Sequence, residues 1–137
     1  MPEISGVLET ALYVGDVGRS AAFYRSLFGF EVMIQDDRFC AMNVAGKQVL
    51  LLFRRGGAKA ALMVPGGLIP GHDGSGETHF AFSIPASDLQ PWEDRLTQHG
   101  VAIESRVAWE RGGHSLYFRD PDSHLVELAT PGLWPIY

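Results

Sequence analysis

Cysteine, clustered positive charge and long apolar runs are all scarce in this 137-residue chain. The one cysteine, Cys40, excludes an internal disulfide and a zinc site built from several cysteines. Eleven lysines and arginines against sixteen acidic residues give a net charge of −5, and Arg54-Arg55 is the only adjacent basic pair. We therefore expect no nucleic-acid partner and no attraction to an anionic membrane.

Export and membrane-spanning signals are also lacking. The first ten residues, MPEISGVLET, have neither a basic start nor an apolar run, which argues against a signal peptide and a spanning helix. Hydrophobic residues make up 46% of the chain, a share typical of a soluble protein that buries its own core. We expect a cytoplasmic protein with a single domain over residues 1–137.

The first half of the chain predicts a strand, a helix and three more strands. Asp16 suits the N-cap of a helix over about residues 18–28, which Gly29 ends. Residues 55–76 are rich in glycine and proline, as in GGLIPGHDGSG, and have no period, so we predict a linker or a mobile loop there. Alternation and flanking turns predict strands over residues 8–14, 30–34, 39–44 and 48–53.

The second half repeats the same order. Strands are predicted over residues 78–84 and 101–107, on either side of a helix over about residues 89–99 that Ser87 or Asp88 caps. The final stretch, HSLYFRDPDSHLVELATP, adds two strands around an Asp-Pro-Asp turn. The chain thus predicts an α+β fold of two βαβββ modules whose strands form a cupped sheet, with the helices on its outer face. The modules cover about residues 7–54 and 77–131.

The functional interpretation depends first on Glu127. It lies in the middle of an apolar strand, where a carboxylate must be paired, hydrogen-bonded or bound to a cation. Alignment of the two modules places Glu9 opposite His79 and Leu51 opposite Glu127. Three of these four positions carry side chains that bind divalent metals, and strand alternation puts them on the same face.

Each candidate ligand also has a simpler interpretation. Glu9 is then an ordinary solvated residue near the chain start, and His79 a hydrogen-bonded structural histidine. Glu127 is then the salt-bridge partner of Arg54 or Arg119. Four further histidines are weaker metal candidates: His72, His99, His114 and His124.

Two motifs give the chain a resemblance to a known family. The helix-to-strand junction GRSAAFYRSLFGFEV and the closing YFRDPDSHLVEL, within paired βαβββ modules, resemble the vicinal oxygen chelate superfamily. That superfamily contains glyoxalase I, extradiol dioxygenases, fosfomycin-resistance thiol transferases and bleomycin-resistance proteins. The resemblance extends from Val7 to Pro131.

The resemblance implies a metal site. The family's ligand positions, on the first strand of each module and on the last strand, are occupied here by Glu9, His79 and Glu127. Glyoxalase I has a fourth ligand, a carboxylate that also acts as the base, at the position of Leu51. The fosfomycin enzymes and the extradiol dioxygenases carry histidine at the position of Glu9.

The resemblance also implies catalytic candidates. Ser115 and Tyr117 match the Ser-x-Tyr pair that lines the substrate cup of the fosfomycin enzymes, and both would donate hydrogen bonds to the substrate. The family's DPDG turn is DPDS here, with Ser123 at a position that favours glycine. Family members usually form homodimers, which implies a homodimer in which Trp134 and Tyr137 lose exposure to the body or to the second copy.

These positions together imply a metal-dependent enzyme that acts on a small oxygen-rich substrate. One imidazole and two carboxylates suit Mn²⁺, Fe²⁺, Co²⁺, Ni²⁺ or Zn²⁺, and the ion would act as a Lewis acid toward adjacent substrate oxygens. Three alternatives remain open. The first is a metal-free protein that sequesters a ligand, as bleomycin-resistance proteins do. The second is a fosfomycin-resistance-like thiol transferase, and the third is an assembly partner whose site has decayed.

Overall fold

The computed structural model describes residues 1–137, and its strands and helices follow the order that the repeat predicts, apart from one added hairpin within residues 55–76. Each of two units, Met1–Gly76 and Glu77–Tyr137, contains a strand, a helix and three strands in that order, which confirms the α+β class and the βαβββ modules. Neither helix has the length and apolar character needed to cross a membrane. The elements are β1 (Glu9–Val14), α1 (Val17–Phe28), β2 (Glu31–Gln35), β3 (Phe39–Val44), β4 (Gln48–Arg54), β5 (Leu62–Val64), β6 (Gly67–Ile69), β7 (His79–Ser83), α2 (Leu89–Gln98), β8 (Ser105–Ala108), β9 (His114–Arg119) and β10 (Leu125–Ala129).

The first unit contains a four-stranded sheet in the order β1-β4-β3-β2. β1 runs parallel to β4, and the other neighbours are antiparallel. Helix α1 contacts three of these strands and begins at the predicted cap, because Asp16 accepts the amide N–H of Arg19 at 3.0 Å. Gly29 ends the helix in the left-handed conformation, with φ of 72°. The helix buries Val17, Ser20, Ala21, Tyr24 and Leu27.

The second unit repeats this arrangement in the order β7-β10-β9-β8. β10 lies parallel to β7 and antiparallel to β9. β8 begins later than predicted, because the amide of Val101 bonds back to Leu96 O at the end of α2. The chain reaches the sheet only at Glu104, whose amide donates to Tyr117 O at 2.8 Å. Backbone hydrogen bonds thus divide the strands of the two modules into two four-stranded sheets, each complete within its own unit.

Strand register gives the two units the same internal alignment that the sequence predicts. Glu9 on β1 pairs with the residue two positions before Leu51 on β4. His79 on β7 pairs with the residue two positions before Glu127 on β10. Glu9 is therefore equivalent to His79, and Leu51 is equivalent to Glu127.

The predicted linker over residues 55–76 contains regular structure. Its strands β5 and β6 form a hairpin around Pro65-Gly66, and its base is tied to the first sheet. The amide of His72 donates to Ala58 O at 2.8 Å, and the Tyr13 hydroxyl lies 2.6 Å from His72 Nδ1. Three-residue strands are too short to show a period, and the Tyr13–His72 contact joins residues far apart in the chain, so sequence patterns detect neither.

The Asp-Pro-Asp turn between β9 and β10 forms as predicted. Asp120 Oδ1 accepts the amides of Asp122 and His124, each at 2.9 Å. Ser123 has φ of 65°, a left-handed conformation that strains a residue with a side chain.

The two aromatic residues of the tail differ in exposure. The Tyr137 hydroxyl donates to Ala129 O at 2.9 Å and to Ile84 O at 3.3 Å, so this residue loses exposure to the body of the second unit. Trp134 is 64% exposed in the single chain.

Candidate functional site

Glu127 is a buried acid on the central strand of the second unit. It is 4% exposed, and its chain neighbours Val126 and Leu128 are fully buried toward the opposite face of β10. Its register partners are Ala81 on β7 and Tyr117 on β9. Residues directly opposite each other share a sheet face, so Glu127 and Tyr117 meet there.

His79 faces one oxygen of this carboxylate. Its Nε2 lies 3.3 Å from Glu127 Oε1, and its Nδ1 lies 3.0 Å from the carbonyl oxygen of Leu125. Because a carbonyl only accepts, Nδ1 carries the proton and donates it, which leaves an acceptor lone pair on Nε2 of the neutral ring. Two acceptors facing each other require a cation between them, either a proton or a metal ion.

Ser115 occupies the other oxygen. Its hydroxyl donates to Glu127 Oε2 at 2.5 Å, and the residue is 1% exposed. The short distance is typical of a charge-assisted hydrogen bond to a carboxylate. Ser115 Oγ in turn accepts the indole N–H of Trp109 at 2.8 Å. Both carboxylate oxygens are thus assigned, Oε2 to the protein interior and Oε1 to His79.

Tyr117 completes the group. Burial raises the pKa of its phenol, and the negative charge of Glu127 raises it further. A hydrogen bond with Ser115 lowers this pKa, and one with Glu127 raises it. Its ring centroid lies 6.2 Å from that of His79. Tyr117 therefore keeps its proton above the ordinary tyrosine range and remains a hydrogen-bond donor at neutral pH.

The second unit brings together four of the five predicted site residues: His79, Ser115, Tyr117 and Glu127. The fifth, Glu9, is exposed at the first position of β1 in the first unit. The position equivalent to Glu127 in the first unit is Leu51, which brings no ligand. Nowhere in the chain do three or more His, Cys, Asp or Glu side chains converge as a metal-binding group.

The alternative partners of Glu127 are engaged elsewhere. Arg119 Nε donates to Glu104 at 2.9 Å, and Arg54 lies 3.6 Å from Asp37. The simpler interpretation, in which Glu127 is the salt-bridge partner of one of these arginines, is therefore not supported, because each guanidinium lies beside another carboxylate.

Several of the remaining histidines have local hydrogen-bond partners. His124 is 1% exposed and its Nδ1 accepts the amide of Thr78 at 3.0 Å. His99 Nδ1 donates to Arg95 O at 2.9 Å, within the last turn of α2. The contact between His72 and Tyr13 belongs to the first unit. These rings hold segments of backbone or neighbouring side chains.

Trp109 is not among the residues that the sequence analysis assigns to the site. The structure shows that its indole reaches Ser115, six residues further along the chain. The nearest signal in the sequence is the Gly112-Gly113 pair, which allows a tight turn between the two side chains. That signal indicates a turn and says nothing about which group the indole meets.

The pair of His79 and Glu127 fits a divalent cation. Imidazole nitrogen and carboxylate oxygen are the ligand types that Mn²⁺, Fe²⁺, Co²⁺, Ni²⁺ and Zn²⁺ take. A metal-binding histidine usually donates its second N–H to a carbonyl or carboxylate, as His79 does to Leu125 O. The hydrogen bond from Ser115 supports the carboxylate in the same way.

Comparison with known proteins identifies the family. The sequence profile of the Glyoxalase/Bleomycin resistance protein/Dioxygenase superfamily matches residues 6–128. The chain belongs to this superfamily. Its resemblance to vicinal oxygen chelate proteins is thereby confirmed.

Relatives within the superfamily span several activities. The chain is 26% identical over 131 residues to the metallothiol transferase FosB of Staphylococcus haemolyticus, covering 95% of this chain and 86% of that protein. It is 31% identical over 122 residues to the glutathione transferase FosA of Serratia marcescens, covering 89% and 78%. A solved lactoylglutathione lyase from Agrobacterium tumefaciens has a TM-score of 0.88 and 31% identity, over 98% of this chain and 99% of that one.

Proposed function

We propose that this superfamily member is a metal-dependent enzyme whose divalent ion is held by His79, Glu127 and Glu9. Its substrate is a small molecule with adjacent oxygens. The observation that carries the proposal is the 3.3 Å separation of two acceptors, His79 Nε2 and Glu127 Oε1. Because Nδ1 and Oε2 are committed to the protein, the remaining lone pairs converge on a position suited to a cation.

Several metals suit this set of ligands. Mn²⁺, Fe²⁺, Co²⁺, Ni²⁺ and Zn²⁺ all accept mixed nitrogen and oxygen ligands with positions left open. The relative FosB is called a metallothiol transferase, which supports a metal and leaves its identity open. When bound, such an ion supplies Lewis acidity that stabilises negative charge developing on substrate oxygens.

Glu9 is the third ligand in this proposal because of its register. It occupies in β1 the position that His79 occupies in β7, and it is exposed. A second carboxylate balances the charge of a divalent ion together with Glu127. The matching loss of metal in Glu9→Ala and His79→Ala variants tests this equivalence.

Tyr117 and Ser115 take different roles in the proposal. Tyr117 is a neutral phenol beside Glu127, held protonated by burial and by that charge, and it orients the substrate by donating a hydrogen bond. Ser115 has one proton and donates it to Glu127 Oε2. We therefore propose that Ser115 holds the ligand in place, instead of contacting the substrate directly.

A thiol transferase is the second candidate. The likeness to FosB and FosA supports it, as does the Ser115-Leu116-Tyr117 sequence. Loss of free thiol on incubation with fosfomycin, a divalent metal and glutathione or another low-molecular-weight thiol tests it. We do not propose lactoylglutathione lyase activity, because Leu51 cannot accept a proton at the position equivalent to Glu127.

We also propose a homodimer. Apolar side chains of the tail, and separately of the segment before β1, remain exposed in the single chain, and contact with a second copy would remove them from water. They include Trp134 at 64%, Ile136 at 96%, Val7 at 68% and Leu8 at 66%.

Metal content tests the main proposal. Protein purified without chelators or an affinity tag should contain one divalent ion per chain by elemental analysis, and Glu127→Ala should remove it. If the protein carries no metal, and added Mn²⁺, Ni²⁺, Zn²⁺ or anaerobic Fe²⁺ gives no thermal shift, a metal-free ligand-sequestering protein replaces the proposed enzyme.

A further inference from the structure

Trp109 approaches the site from a short turn that the backbone holds in place. Its amide donates to Gly113 O at 2.8 Å, and the amide of Gly112 donates to Trp109 O at 2.9 Å. Gly113 is buried, and a Cβ there would lie 2.9 Å from the backbone nitrogen of Leu133. The turn is therefore closed by two hydrogen bonds and packed against the tail, which sets the starting point of the Trp109 side chain.

The indole has a single polar group, and that group is aimed inward. Trp109 is 37% exposed, and its Nε1–H donates to Ser115 Oγ at 2.8 Å. An indole N–H is a donor only, so Ser115 must accept it with a lone pair. The one proton of Ser115 then points away from the indole and is donated to Glu127 Oε2, which lies 2.5 Å from Ser115 Oγ.

We propose that Trp109 is a positioning residue for the metal ligand Glu127 and that it acts through Ser115. The proposal rests on the function proposed above, since it concerns the same metal. Trp109 sets the direction of the Ser115 hydroxyl, the hydroxyl holds Oε2, and Oε1 is left facing His79 Nε2. Trp109 thus determines which carboxylate oxygen is presented to the ion.

Removal of the indole N–H takes away one of the two side chains, besides Glu127, that hold the Ser115 hydroxyl, and the hydrogen bond with Tyr117 remains. The hydroxyl is then held less firmly. The carboxylate then loses a fixed partner on Oε2 and samples other orientations, so part of the binding free energy is lost in ordering it again. Partners that orient a metal ligand typically contribute about 10- to 100-fold in metal affinity. We expect the dissociation constant for Mn²⁺ to increase about tenfold in Trp109→Phe and about 10- to 100-fold in Ser115→Ala.

The chain offers a matched control. Trp92 lies on α2, on the side of the second sheet opposite to Tyr117. Ser105 on β8 pairs with Tyr117, so the next residue, Arg106, points to the other face of the sheet. Arg106 donates to Glu93 on α2 at 2.8 Å, which places the helix on that other face. Trp92→Phe makes the same chemical change without touching the site. Its Mn²⁺ affinity should equal that of the wild type.

A double-mutant cycle separates positioning from general structural support. If Trp109 acts through Ser115, Trp109→Phe in a Ser115→Ala background should change the Mn²⁺ dissociation constant less than about twofold. A purely structural role of the tryptophan predicts the same loss in both backgrounds. Equal losses, or no loss in the single Trp109→Phe variant, overturn the proposal.

The metal-free protein provides an independent readout. In ¹H–¹⁵N spectra, the signal missing from Trp109→Phe identifies the Trp109 indole, and its N–H should exchange with solvent more slowly than that of Trp134. Ser115→Ala should abolish this protection. Fast exchange in the wild type refutes the hydrogen bond and with it the positioning role. If the Trp109 indole of the wild type is protected but the protein does not bind Mn²⁺, the proposed metal function itself is refuted.

Discussion

Replacing Glu127 with glutamine distinguishes a metal ligand from an ion-pair partner, because the change removes the charge and keeps the shape. In the structure Oε2 accepts the Ser115 hydroxyl at 2.5 Å, and Oε1 faces His79 Nε2 at 3.3 Å. The amide of glutamine retains an oxygen for Ser115 and turns an N–H toward His79. A donor and an acceptor thus replace two facing acceptors.

We expect Glu127→Gln to raise the free energy of unfolding of the metal-free protein. A neutral hydrogen bond contributes about 0.5–1.5 kcal/mol, and loss of the repulsion between the carboxylate and the nitrogen lone pair acts in the same direction. For a chain of 137 residues this corresponds to an increase in Tm of roughly 2–6 °C. An ion pair with a protonated imidazole predicts the opposite sign, with a loss of about 1 kcal/mol because the His79 side chain is 49% exposed to solvent.

Thermal melts in chelator and in excess Mn²⁺, at mildly alkaline pH where free imidazole is neutral, measure both effects. At a metal concentration of 100 times the dissociation constant, the wild type should gain about 2.7 kcal/mol, and Glu127→Gln should lose most of that gain. Glu104→Gln, which alters a surface ion pair with Arg119, is the matched control and should leave the gain unchanged. Marked destabilisation by Glu127→Gln in chelator, together with an unchanged response to Mn²⁺, would refute the reasoning.

Tyr117, Ser123 and the apolar tail provide three further tests. Burial and the charge of Glu127 raise the pKa of Tyr117, so its phenolate absorbance should appear above the ordinary value of 10.0, and Glu127→Gln should move it downward. Stability contributed by Tyr117 is complete below that ordinary value and falls as the pH rises through the folded-state pKa. A Tyr117 phenol that titrates at the ordinary value contradicts this. Ser123→Gly should relieve left-handed strain and raise the unfolding free energy by roughly 0.5–1 kcal/mol in urea, whereas no gain would show that Ser123 is unstrained. Sedimentation should show a dimer at micromolar concentrations, with Trp134 fluorescence less accessible to a quencher than in the diluted monomer, and a monomer throughout argues against the interface.

Most of the architecture follows from local patterns. The alternation of β1, the cap at Asp16 and the stop at Gly29 are properties of a few adjacent residues, and their recurrence after residue 77 predicts the second module. The hairpin β5–β6 is absent from the predicted elements because its strands are three residues long. The Tyr13–His72 contact, which holds the end of the same segment, joins residues distant in sequence. Local periodicity carries no information about such contacts.

The sequence by itself determined that Glu127 needs a partner and that His79 and Glu9 hold equivalent positions, because a carboxylate between apolar strand residues and a repeat are both visible in one dimension. Only the tertiary structure decided which atoms meet. The ladder of β7, β10 and β9 directs His79 to Oε1 and Ser115 to Oε2, and it brings the indole of Trp109 onto Ser115. A shift of one residue in either pairing would turn these side chains to the other face of the sheet, so register, which depends on contacts between distant segments, sets the chemistry of the site.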